Sequence, residues 1–329
     1  VDLHWILSSM WTFVFIFAIQ TLGSIPNSTT GHPPKSVGHS MKEKLSARLK
    51  SSKKNTKSSF VFDLPVTYNY KVSAWIQYYQ TSGSKSFKEW LRRSTKYVPY
   101  IQDQLKKAGL PQDLVYMAMI ESGFSSHAKS TADAVGPWQF IQATGERYGL
   151  KVDWWIDERR DFKKSTQAAI RYINDLYEEF GSWYLVAASY NMGEGGLARV
   201  IKKHGTNDFW ILTKKNALPS ETTEYVPKII AAMLISKAPN LYGFRDLDLQ
   251  IPLEYDMVVA PGGIHLDDVA DYLGVTHQSM RELNPELILG YIPDKVKTHQ
   301  VRVPKGSQTW AAKYLSSFSR PSVATEAKL

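Results

Sequence analysis

Between Phe60 and about Phe244 the apolar residues recur at helical spacing, and no alternating run of any length interrupts them. That confines more than half of the chain to a helical core. KKSTQAAIRYINDLYEEFG, residues 163–181, places Ile170, Ile173, Leu176, Tyr177 and Phe180 on one face and stops at Gly181. PYIQDQLKKAGL and WYLVAASYN read as further helices. TTEYVPKIIAAMLISKAP, residues 222–239, carries a Thr cap, an acid in its first turn and an early proline, all helix-start signals. After Pro239 the texture changes. EYDMVVA and THQVRVP read as strands, with HLDDVADYLGV and HQSMRELNP between them as short helices, a β-α-α-β unit of about 50 residues. The expected fold class is mainly α, with a small α+β module behind a helical domain. The residues past Gly306 carry no pattern.

The 329-residue chain has no cysteine, so disulfides, thiolate metal sites, a thiol nucleophile and a lipidated cysteine are unavailable. The histidines show no metal-ligand spacing, and there is no phosphate-cradling glycine loop. No cofactor and no metal are expected. Residues 5–25 have an apolar heart from Trp11 to Ile19 followed by small residues, the pattern of a secretory signal or an uncleaved anchor, although His4 and Asp2 stand where lysine or arginine is usual. The expected location is the periplasm or cell envelope. From Pro26 to Ser59, eight Lys/Arg against Glu43 give a net +7 of the chain's +9. The positive charge therefore belongs to a linker rather than to a folded surface, which argues against nucleic acid and for a tether beside a membrane or an anionic wall. The expected organisation is a signal or anchor at 1–25, a basic linker at 26–59, a catalytic domain at 60–244, a small module at 245–306 and a tail at 307–329.

One residue breaks the apolar pattern. In VYMAMIESGF, residues 115–124, Leu114, Met117, Ala118 and Ile120 form an apolar face, and Glu121 arrives on that same face. A glutamate among apolar groups has its proton held more tightly than in water, which suits it to donate a proton to a leaving oxygen. The plainer reading is a glutamate turned outward at a fraying helix end. Two other clusters bear on the choice. GPWQF (136–140) offers a tight-turn glycine, a rigid proline, a tryptophan that could stack on a sugar and an amide that could bond its hydroxyl or acetamido groups, and ASYNMGEGG (188–196) sets Tyr190 and Asn191 at a helix end before glycines that permit close approach of a ligand. Singly, Trp138 reads as core, Tyr190 as a packed ring and the glycines as turns. Together and in this order they are the parts of a sugar-binding cleft with one acid.

IES (120–122), GPWQF (136–140), RYGL (147–150), DERRD (157–161), ASYNMGEG (188–195) and ETTEYVPK (221–228) run in the order found in membrane-bound lytic murein transglycosylases of the D type. The chain resembles that family, which shares the goose-type lysozyme fold, from about Val98 to Tyr242. The resemblance implies that Glu121 is the general acid/base with Ser122 orienting it, and that Gln139, Tyr190, Asn191 and Tyr225 line the sugar subsites. DERRD and RYGL read as ion pairs and packing that maintain the fold. VADYLGVTHQSMRELNP is similar to part of a LysM domain, although Gly263-Ile264-His265-Leu266 replaces the usual entry sequence, which leaves peptidoglycan binding by the module open.

The implied activity is cleavage of the MurNAc–GlcNAc bond of peptidoglycan by a monomer, with closure of a 1,6-anhydro ring and Glu121 as the single acid. Every motif lies inside residues 60–244, so that segment is expected to fold and act alone. Two alternatives stand beside this reading. One is a hydrolytic lysozyme, with Asp133, three residues before Gly136, as a second carboxylate. The other is a wall-binding protein without catalysis, which the presence of Glu121 disfavours.

Overall fold

The computed structural model describes residues 61–318. The expected signal or anchor, the basic linker and the end of the expected tail lie outside the described residues. Helices α1 (Tyr70–Gln80) and α2 (Ser84–Lys107) lead to the short α3 (Val115–Ser122) and α4 (Gln142–Arg147). Then come α5 (Phe162–Phe180), α6 (Trp183–Met192), α7 (Glu194–His204), α8 (Phe209–Lys214) and α9 (Ser220–Lys237). Around α4 the strand pairing is limited to isolated bridges, among them Val135 with Phe140.

Local chemistry sets the ends of these helices. Asp161 caps α5, accepting from the amides of Lys163 and Lys164 at 2.8 and 2.9 Å, and Gly181 closes it in the left-handed conformation. The expected face of α5 holds for Ile170, Ile173 and Leu176, which are buried. Tyr177 is exposed instead and stacks on Trp183 with ring centroids 3.9 Å apart. Helix α9 begins at Ser220, two residues before the expected cap. The Thr222 hydroxyl donates to Asn191 Oδ1 at 2.7 Å, so it serves the neighbouring helix end and not its own. Tyr225, Val226, Ile229, Ile230 and Met233 make α9 the buried axis of the helical part, against α1, α3 and α6.

The C-terminal part follows the expected β-α-α-β order: β1 (Tyr255–Pro261), α10 (Leu266–Leu273), α11 (His277–Leu283) and β2 (Thr298–Pro304). The strands pair antiparallel with Val258 opposite Val301. A further helix, α12 (Gln308–Ser316), lies where a tail was expected, and its Ala311 and Leu315 are buried. Two inward residues on a single short helix leave almost no period to read, which is why the sequence did not disclose it.

The module's core does not stop at the module. Trp155 and Ile156, from the segment before α5, are packed in the same cluster as Val258, Leu266, Val269, Val301 and Leu315. Main-chain bonds run across as well, from the Asp157 amide to the Glu286 carbonyl at 2.8 Å and from the Ile288 amide to the Trp155 carbonyl at 3.1 Å.

Candidate active site

Helix α3 is short, and its first five residues, Val115 to Met119, are all buried. This holds its last turn in one place. Gly123 ends the helix at φ +58°, where a side chain would also strike the Trp90 ring 2.1 Å away, so the chain turns sharply just after Glu121. Glu121 therefore sits on a fixed helix end, half-buried, with its side chain among protein atoms.

The Tyr225 hydroxyl, from the buried face of α9, donates to Glu121 Oε1 at 2.5 Å. Burial pushes the Glu121 carboxyl up to about 7. The Tyr225 bond and the Lys228 ammonium oppose that shift, and the Glu221 carboxylate adds to it. A carboxyl in this setting is divided between its acid and its base forms near neutral pH. The same surroundings hold the phenolic protons of Tyr225 and Tyr190 tightly, through burial first and then through the nearby Glu121.

The 133–140 loop closes one side. Gly136 has φ +85°, and a Cβ there would stand 1.9 Å from the Arg159 carbonyl oxygen, so only glycine lets the two backbones approach. The Ser122 hydroxyl donates to the Pro137 carbonyl at 2.9 Å, and the Tyr190 hydroxyl to the Trp138 carbonyl at 2.7 Å. Ser122 thus ties the helix end to the loop. Gln139 has φ +50°, and its amide nitrogen donates to the Gly136 and Ala128 carbonyls at 2.9 and 3.3 Å. Trp138 is fully buried and donates to Thr166 Oγ1 at 3.0 Å, the core residue of the plainer reading and not a stacking surface.

Asn191 ends α6 facing the start of α9. It accepts from Thr222, and its Nδ2 donates to Glu221 Oε1 at 3.3 Å. The structure therefore gathers Glu121, Tyr225, Tyr190, Ser122 and Gln139 about the 133–140 loop, and joins Asn191 through Glu221. Glu221 and Lys228 escaped the reading of the sequence. Both bear on the Glu121 charge, and their signal was available, because Glu221, Tyr225 and Lys228 stand four and three residues apart on one helical face.

Asp133 is different. Its side chain is 76 % exposed and forms an ion pair with Lys129 at 2.8 Å. That pair holds its carboxyl below the usual range.

Residues 99–213 match the transglycosylase SLT domain, and residues 254–319 match the LysM-like domain of lytic transglycosylase MltD. Membrane-bound lytic murein transglycosylase D of Escherichia coli (strain K12) is 36% identical over 197 residues, 58% of this chain and 43% of that protein. Membrane-bound lytic murein transglycosylase C of Sodalis glossinidius is 26% identical over 144 residues, 40% of each chain. The chain thus spans less than half the length of these curated relatives. The solved structure of an inactive variant of lytic transglycosylase Slt from Pseudomonas aeruginosa covers 48% of this chain and 25% of its own, at 18% identity and a TM-score of 0.37, a partial likeness from which nothing is argued. The chain thus carries, in succession, one segment that matches the transglycosylase SLT domain and one that matches the LysM-like domain of MltD, and it is similar over part of its length to lytic murein transglycosylase D.

Proposed function

We propose that this protein is a peptidoglycan lytic transglycosylase of the cell envelope that cleaves the MurNAc–GlcNAc β-1,4 bond and leaves a 1,6-anhydroMurNAc end. The observation that carries the reading is the Glu121 carboxyl, fixed on a helix end, pushed up to about 7 by burial and bonded to the Tyr225 hydroxyl. Glu121 protonates the glycosidic oxygen as the bond breaks. The acetamido group of the substrate stabilises the developing positive charge at C1. Glu121, now ionised, takes the proton of the MurNAc 6-hydroxyl while that oxygen closes on C1, so the acid is restored and no water is consumed. Tyr225 holds the carboxyl in place throughout, because its own proton is bound too tightly to be lost. Gln139, Tyr190 and Asn191 line the path of the sugar.

The hydrolytic reading needs a second carboxylate that positions a water on the far side of the sugar. Asp133 is a poor fit, since it is exposed and neutralised by Lys129. Mass spectrometry of the products from purified sacculi separates the two. Anhydro ends, with Asp133→Asn retaining them, fit the transglycosylase. Reducing MurNAc ends that vanish in Asp133→Asn would replace it with a lysozyme. Retention at the wall or membrane through the basic residues before Ser59 belongs to the same proposal, as do export and action as a monomer.

A further inference from the structure

Arg302 lies on β2 in the C-terminal module, yet its guanidinium is buried between two acids from different parts of the chain. Nη1 donates to Glu286 Oε1 at 2.9 Å, and Nη2 donates to Asp161, the residue that caps α5. Asn284 fixes the Arg302 backbone, accepting from its amide at 2.7 Å and donating to its carbonyl at 2.8 Å. Arg302 is therefore held on both sides, as a bolt would be.

The connection continues toward the 133–140 loop. The Glu286 carbonyl accepts from the Asp157 amide. The Asp157 carboxylate takes Arg159 at Nε and Nη2, at 2.9 and 2.8 Å, with all of these groups buried. Arg159 Nη1 then donates to the Asp133 carbonyl at 2.9 Å and the Phe140 carbonyl at 3.2 Å. It thus grips both ends of the loop, while its own carbonyl presses on Gly136 in the middle. The same loop supplies the carbonyls that hold Ser122 and Tyr190 beside Glu121. Each step is a charge-assisted or buried hydrogen bond, and such groups are costly to leave unpaired, so a change at the junction is passed on to the loop.

We infer that Arg302 is a positioning residue for the catalytic centre, fixing the 133–140 loop through Asp161, Glu286 and Arg159. The C-terminal module thereby serves as a brace for the active site as well as whatever else it touches. The inference rests on the glycan-cleaving reading for its consequence, and on the junction alone for the coupling.

The test uses the full chain with Arg302→Met, Arg302→Lys and Arg281→Met. Arg281 pairs with Asp267 on the surface of the same module, which makes its loss a control for general damage to the module. Two quantities are measured below the melting temperature of every variant. The first is turnover of a soluble glycan too short to reach the module, and the second is amide exchange across residues 133–140. Arg302→Met should lower kcat about tenfold with little change in KM, as a displaced catalytic constellation does. It should also speed exchange in that loop while leaving α9 protected. Arg302→Lys keeps one charge-assisted bond and should recover part of both, and Arg281→Met should change neither. A folded Arg302→Met with wild-type kcat and wild-type loop exchange overturns the inference. If Arg302→Met does not fold, Arg302→Lys decides, because a lower melting temperature with unaltered loop exchange and kcat would make Arg302 structural only. Loss of glycan cleavage in the wild type would instead remove the proposed function, and the exchange data would still report on the coupling.

Discussion

The surroundings of Glu121 and the junction around Arg302 each take carboxyl groups out of water, and they give them different partners. At the junction, one buried guanidinium stands between Asp161 and Glu286. Beside Glu121, the hydrogen-bonding partner is the neutral hydroxyl of Tyr225, and the nearest named cation, Lys228, acts at a distance. A carboxyl with a hydrogen bond but no bonded cation keeps its proton to near neutral pH, which suits proton transfer. A carboxyl bonded to a buried cation stays where it is put, which suits a brace. Glu286 limits the contrast. It shares a single arginine with Asp161, and burial together with that neighbouring acid pushes it up to about 7 despite Arg302. Two acids on one cation leave the junction short of positive charge.

The comparison can be broken most severely at Glu121. Glu121→Gln should lose all measurable clearing of peptidoglycan, and it should melt above the wild type. Near pH 8 the gain should be roughly 3 kcal/mol, since the substitution removes a charge that burial disfavours. Substantial residual turnover would take the acid's role from Glu121.

At the junction the same experiment should give the opposite sign. Arg302→Met leaves two buried acids without their cation and should cost about 3–5 kcal/mol by chemical denaturation. A fragment ending near residue 244 should fare worse than a sequence reading suggests. It strips the cover from Trp155 and Ile156 and removes the partner of Asp161. A cooperative, active fragment of that length would show that the shared core matters little.

Removing the phenol should have a middling effect. Tyr225→Phe deletes a hydrogen bond that stabilises ionised Glu121, so the carboxyl should titrate higher still and activity should fall about 10- to 100-fold. In the wild type, kcat/KM should decline as pH rises through about 7, when the acid loses its proton. In Tyr225→Phe that decline should move to higher pH, and an unmoved limb would assign it to another group.

A smaller effect concerns stability itself. Glu121 and Glu286 both bind their protons more tightly folded than unfolded, so folding is favoured at low pH, and that contribution is lost as pH climbs from about 4.5 through about 7. Melting curves across that range should fall with pH, and Glu121→Gln should flatten part of the slope. The smallest effect is expected at Asp133. Asp133→Asn breaks an exposed pair with Lys129 and should leave both the melting temperature and the activity near those of the wild type.

Much of this protein is legible from neighbouring residues alone. The period of α5, the sharp stop at Gly181, the β-α-α-β order and the presence of Glu121 on an apolar face are all set within a few turns of chain, because sterics and burial act on residues close in sequence. Even Glu221 and Lys228 could have been placed beside Tyr225 by helical spacing. What the chain alone could not disclose lies in pairings between distant residues. Tyr225 meets Glu121 across 104 positions and Arg302 meets Asp161 across 141. Local pattern carries no record of which polar group will answer another once both leave water. The tertiary structure decided that DERRD fixes a second region and not just its own helix, that Trp138 is core, and that α12 belongs to the module. In each case burial was settled by a surface arriving from elsewhere in the chain, and only packing brings such surfaces together.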